Sequence, residues 1–204
     1  MENLHELEMR SVYARTLVEL ATKNPNIICV EADLSKASGT NPTFSEARPG
    51  QFINCGVAEA DMIGIAAGLA VEGKIPFCAS FTPFATRRVY DQVTISVAYA
   101  NTNVKIVGTA PGITAGPNGG THMCFQDLAI MRAMPNMVVL SPCDSYELRS
   151  CLHWMAEYEG PVYMQLIRPK QPQVFDYSYK FNPDKAVVLH EGTDVTLVST
   201  GYMT

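Results

Sequence analysis

No stretch of this 204-residue chain approaches the roughly 18 consecutive apolar residues that span a bilayer, which excludes a simple transmembrane helix. Blocks of like charge are missing too. With a net charge of −5, the chain offers neither nucleic acid nor an anionic membrane a basic surface. The acidic first residues lack the basic-then-apolar layout of a signal peptide. Six cysteines stand at positions 29, 55, 78, 124, 143 and 151, never as Cys-x-x-Cys. Zinc-ligand spacing is absent, and the cysteines read as buried thiols in a reducing cytosol. There is no Walker loop, His-Glu-x-x-His or Gly-x-Ser-x-Gly, so P-loop, zincin and serine-hydrolase chemistries have no anchor. No internal repeat or low-complexity segment occurs.

What is present is a well-packed composition, 47% hydrophobic and 17% charged, that suits an α/β domain with a sizeable core. Helical and extended patterns alternate, as in a doubly wound, mostly parallel sheet of about six strands with helices on both faces. Helices are expected over 9–22, from Glu59 to about Ala70, over 83–101, 126–133 and 145–159. Strands are expected over 27–30, 51–54, 75–80, 104–108, 137–140 and 162–167. The polar stretch 33–50 reads as a long functional loop, and 109–121 as a loop with a special backbone path. This gives an α/β domain over 1–168 and a proline- and aromatic-rich linker over 169–185. Residues 186–204, with strand-like runs at 186–190 and 195–199, read as the start of a further domain.

Four strings carry the chemistry. Asn54-Cys-Gly-Val-Ala-Glu59 leads into an apolar, small-residue helix whose pattern reads as buried on several faces, with the Glu59 carboxylate at its start. An acid there is a helix-dipole partner or a working acid/base. In Ser80-Phe-Thr-Pro-Phe-Ala-Thr-Arg-Arg-Val-Tyr-Asp-Gln92, Phe81 and Phe84 stand where a strand gives way to a helix, the end of a sheet that binds ligands. They are core residues or an aromatic wall for a flat heterocycle. Ala115-Gly-Pro-Asn-Gly-Gly-Thr-His122 places a histidine after a glycine loop. Asp33 and Leu34 follow the first strand, and Arg168 follows the last strand of the domain, where its fork suits a phosphate or a surface ion pair.

Together, in this order, these strings resemble the pyrimidine-binding domain of the transketolase family, most closely the C-terminal subunit of a split bacterial transketolase. The resemblance implies that Glu59 activates the aminopyrimidine of thiamine diphosphate. Phe81, Phe84 and Arg88 would line the ring, and Asp33 and Leu34 the thiazolium. Arg87 and Arg88 both fit the family arginine; Arg88, heading Arg-Val-Tyr-Asp-Gln, is favoured. His122, Asn118 and Arg168 would meet the sugar phosphate, with Asn118 replacing the aspartate of the family pattern. The Gly-Asp-Gly that marks the family's magnesium site is absent. The resemblance thus implies an N-terminal partner subunit holding the diphosphate and Mg2+, a heterotetramer when assembled, and a homodimer of this chain alone. The implied reaction moves a two-carbon ketol unit between sugar phosphates, in the cytoplasm and the pentose phosphate pathway. A 1-deoxy-D-xylulose-5-phosphate synthase-like subunit and a non-catalytic assembly or regulatory remnant are the alternatives.

Overall fold

Five consecutive buried residues, Ile27–Glu31, form β1 of the computed structural model, which describes residues 3–204. Unbroken burial of this kind marks a strand covered on both faces, and it recurs in β4, Lys105–Thr109. With β2 (Phe52–Asn54), β3 (Ile75–Phe81), β5 (Val138–Leu140) and β6 (Val162–Leu166), these strands build one six-stranded sheet in the order β2-β1-β3-β4-β6-β5. Every neighbouring pair is parallel.

Side chains alternate across the sheet with a period of two. Cys29, Phe77, Val107 and Met164 face one layer, where they meet Tyr13 and Leu17 of α1 (Met9–Lys23) and Leu152 and Met155 of α8 (Ser145–Glu157). Val30, Cys78, Ile106 and Tyr163 face the other, against Met62, Ile63 and Ala66 of α4 (Glu59–Val71) and Val89, Val93 and Val97. Five shorter α-helices complete the numbering: α2 (Ser35–Ser38), α3 (Thr43–Ala47), α5 (Thr82–Ala85), α6 (Tyr90–Gln92) and α7 (Asp127–Arg132). No helix among the described residues is long and apolar enough to cross a membrane.

The structure departs from the sequence expectations in four places. The stretch 33–50 carries α2 and α3 and is folded onto the domain. The helix expected over 83–101 is broken: α5 ends at Ala85, Thr86 leaves the helical conformation, a 3-10 turn over Arg87–Val89 follows, and a π-helix spans Val93–Tyr99. The Thr86 hydroxyl donates back to the Thr82 carbonyl at 2.6 Å and Thr94 to Tyr90 at 2.6 Å, bonds that compete with the helical ladder. Helix α4 buries one side only, leaving Ala60, Asp61, Gly64, Ile65 and Gly68 exposed. Neither 186–190 nor 195–199 forms a strand. Among the described residues no strand pairs with them, and Leu197 and Val198 stand 88% and 90% exposed.

The segment 169–185 has no regular structure but is docked against α8. Asp144 caps that helix through the amides of Tyr146 and Glu147 at 3.0 and 2.8 Å. Its other oxygen accepts from the amides of Val174 and Phe175 at 2.8 and 2.7 Å. Phe175 and Phe181 then pack on the core.

At the opposite end of the sheet, fully buried Lys105 donates to the carbonyls of Tyr158 and Gly160, both at 2.7 Å. Burial pushes its pKa down to about 7, against the opposing charge of Glu159. Replacing Lys105 by Met would strand both carbonyls. A loss of about 2–4 kcal/mol is expected, read as a lower urea midpoint at unchanged slope. An unchanged midpoint would contradict the pairing.

Candidate active site

The carboxyl ends of the strands converge on one edge of the sheet, and the segments leaving them carry the candidate residues. Asn54, closing β2, accepts from the amides of Asp33 and Gly56 at 3.0 and 3.1 Å. It thereby ties the exit of β1 to the approach to α4. Asp33 takes a positive φ of 60°, and its neighbour Leu34 packs beside Phe81.

Glu59 is the first residue of α4 and only 5% exposed. Its Oε1 accepts from Arg88 Nη1 at 2.8 Å. The Arg88 guanidinium also lies 3.8 Å from the centre of the Phe84 ring. Arg87 turns to the Thr121 carbonyl, 3.5 Å away. The break at Thr86 gives these adjacent arginines different directions, and only Arg88 joins the carboxylate.

Phe81, Phe84 and His122 form an aromatic trio in edge-to-face contact. Ring centres lie 6.1 Å apart for the phenylalanines, and 5.5 and 5.2 Å from His122 to Phe81 and Phe84. The loop bearing His122 takes positive φ at Gly116 and Gly119, and Thr121 Oγ1 lies 2.9 Å from His122 Nδ1. Asn118 ends the 3-10 turn Gly112–Asn118 on the exposed rim of that loop.

Arg168 follows β6 with its guanidinium 5.2 Å from the Phe81 ring centre. Burial, and then the charge of Arg10, lower its pKa, while Glu8 opposes the shift. The Arg10 amide donates to the Arg168 carbonyl at 3.4 Å, and Arg10 Nε pairs with Glu8 at 2.7 Å. Two arginines and the Glu8 carboxylate therefore share one corner of the site, leaving a net positive charge suited to an anionic group. Sequence reading missed Arg10, because an arginine in the first turn of an amphipathic helix carries no distinguishing signal. It missed Asn54 as a latch and Glu31 beneath the site as well.

Planar Arg88 offers a geometric test for a flat cofactor ring. Its guanidinium is a sheet of N–H donors held between a buried carboxylate and an aromatic face. A protonated aminopyrimidine, also flat and edged with N–H donors, meets the same demands, so these residues fit one. Among the described residues no group of three His, Cys, Asp or Glu side chains could hold a metal ion.

Residues 5–173 match the model of the transketolase pyrimidine-binding domain. The chain belongs to the transketolase family. It is 50% identical over 98% of its length to the 6-deoxy-6-sulfo-D-fructose transketolase subunit SqwH of Clostridium sp. (strain MSTE9), and covers 62% of that protein. A transketolase C-terminal section of Methanocaldococcus jannaschii is 43% identical over 95% of the chain, which covers 61% of it. Among solved structures, a split-gene transketolase described as an inactive beta4 tetramer superposes with a TM-score of 0.87 at 42% identity, covering 97% of this chain and 63% of that one. The chain thus spans about three-fifths of the length of these relatives. Its likeness is to the C-terminal subunits of split transketolases, and membership of the family implies dependence on thiamine diphosphate.

Proposed function

We propose that this chain supplies the pyrimidine-binding half of a thiamine-diphosphate-dependent transketolase that moves a two-carbon ketol unit between phosphorylated or similarly anionic sugars. The observation that carries this reading is the buried Glu59 carboxylate, joined by a flat cation to the face of Phe84 at the ligand-binding edge of the sheet. When bound, thiamine diphosphate supplies the carbanion chemistry of ketol transfer. Glu59 holds a proton at N1′ of the aminopyrimidine, and Phe81 and Phe84 wall the ring. Asp33 and Leu34 line the thiazolium side. His122 and Asn118 orient the sugar hydroxyls, while Arg168 and Arg10 receive the anionic end of the sugar. The sulfonate-bearing sugar in the name of the Clostridium relative is an anion of the same kind.

The diphosphate and its Mg2+ belong, in this reading, to a separate N-terminal subunit, with assembly in the cytosol. Helix α4, its approach and the adjoining segment 90–99 expose Val57, Ile65, Ile95 and Tyr99, the first and last 77% exposed. Apolar exposure of this extent suits a protein interface, and without its partner the chain pairs with itself through it. Mixing this chain with a subunit carrying the diphosphate-binding domain, thiamine diphosphate and Mg2+ is expected to restore ketol transfer that neither shows alone. Light scattering before mixing would read the self-paired form. Micromolar thiamine diphosphate binding by this chain alone would contradict the half-site.

A further inference from the structure

Beneath the site lies a carboxyl group that the proposed chemistry does not use. Glu31 closes β1 and is completely buried. Its Oε1 accepts from the hydroxyls of Ser38 and Thr40 at 2.5 and 2.6 Å, whereas its Oε2 has no partner. This asymmetry fits a neutral acid, whose carbonyl oxygen takes both donors. An ionised carboxylate would leave one charged oxygen bare in the core.

The groups facing Glu31 are Tyr13 of α1, Cys29 on its own strand and Cys78 of β3. Burial raises the pKa of all three, so each is neutral near pH 7 and none offers a counter-charge. The Tyr13 hydroxyl is itself buried without a partner. Burial also raises the pKa of Glu31 to about 7, with Ser38 and Thr40 pulling the other way.

The two hydroxyls that Glu31 gathers bracket Gly39. That glycine holds a left-handed φ of 86°, and a Cβ there would sit 2.7 Å from the Arg10 carbonyl oxygen. The Arg10 amide in turn reaches Arg168. A continuous chain of contacts therefore runs from Glu31 through Ser38, Thr40 and Gly39 to the two-arginine corner. Along the backbone, Glu31 lies two residues from Asp33.

We propose that Glu31 is a positioning residue whose neutral form ties the 35–40 turn against α1, holding Arg10 and the Asp33–Leu34 step in place, and whose ionisation, by leaving Oε2 charged and bare in the core, favours opening of that turn even though the charged Oε1 binds both hydroxyls more strongly. The anionic-substrate corner thereby gains a pH dependence that always-charged arginines would not give it. This rests on the reading of Arg10 and Arg168 as the anion end of the site.

The test is amide hydrogen exchange on the full chain, following Ala37, Ser38 and Asn41, corrected for intrinsic rates. Protection in the wild type is expected to fall at least tenfold between pH 5 and 8, as pH rises from the value of a solvated glutamate through about 7. Glu31→Gln, which retains an acceptor for both hydroxyls and cannot ionise, should stay flat over that range. Glu31→Ala should be loose at every pH. A flat wild-type profile, or the same fall in Glu31→Gln, would overturn the proposal; the wild-type profile decides even where a variant fails to fold. Inorganic sulfate, a dianion throughout this range, probes the corner separately through the Arg10 and Arg168 side-chain resonances. Absence of sulfate shifts counts against the anion reading alone, while exchange still decides the role of Glu31.

Discussion

Glu59→Gln is expected to lower ketol transfer by about 10²–10⁴-fold in the assembled enzyme, with little change in assembly. An amide fills the same space at the start of α4 and still offers an oxygen that accepts a hydrogen bond, so packing survives. What it loses is the capacity to take and return a proton. Affinity for thiamine diphosphate should change little, since the diphosphate and its metal belong in this reading to the partner subunit. Glu59→Ala removes the acceptor as well, freeing Arg88, and should be at least as inactive. Deuterium exchange at the thiazolium C2 of the assembled complex isolates the proton step from sugar binding. Exchange and ketol transfer both at the wild-type rate in Glu59→Gln would reduce Glu59 to a helix-terminal acid paired with an arginine. Loss of activity with wild-type exchange would move its role to a later step.

Asp144→Ala is expected to destabilise the chain by about 3–5 kcal/mol. The carboxylate is fully buried and accepts from four backbone amides, two at the start of α8 and two in the 169–185 segment. Removing it uncaps the helix and strands the amides of Val174 and Phe175 together. Asp144→Asn separates the two roles. Its remaining oxygen can cap α8, but its amino group would face two donors, so the 169–185 segment should detach while the helix stays. Chemical denaturation gives the total loss, and proteolysis within 169–185 reports detachment. Equal stability of the alanine variant and the wild type would show that water replaces all four bonds.

Strand positions were legible because the interior strands are mostly apolar and the intervening helices repeat at their own period. Glu59, Phe81, Phe84 and His122 were legible as ordered motifs, and the structure brings them to one edge. The break at Thr86 was not legible. It depends on hydroxyl bonds to Thr82 and a contact with Cys124, 3.7 Å away, that exist only once β3 and the glycine loop are adjacent. Polar 33–50 read as loop because its organiser, Glu31, looks like a solvated acid until its burial is seen. Arg10 and Arg168 lie at opposite ends of the domain sequence, so their shared corner belongs to the tertiary fold alone. The runs at 186–190 and 195–199 have the composition of strands, but composition supplies no neighbour to hydrogen-bond.

Those same runs have a practical consequence. Val187, Val188, Leu189, Val195, Leu197 and Val198 are strand-forming, uncharged and bare to water. Strand β5 closes one margin of the sheet, so one side of its backbone lacks a neighbouring strand. An exposed apolar ribbon and a β margin without a neighbouring strand on one molecule are the two ingredients of edge-to-edge growth, in which each copy lends its ribbon to the next. Handling at high concentration therefore favours open-ended polymers, and a lysine placed at position 197 is the economical way to blunt them.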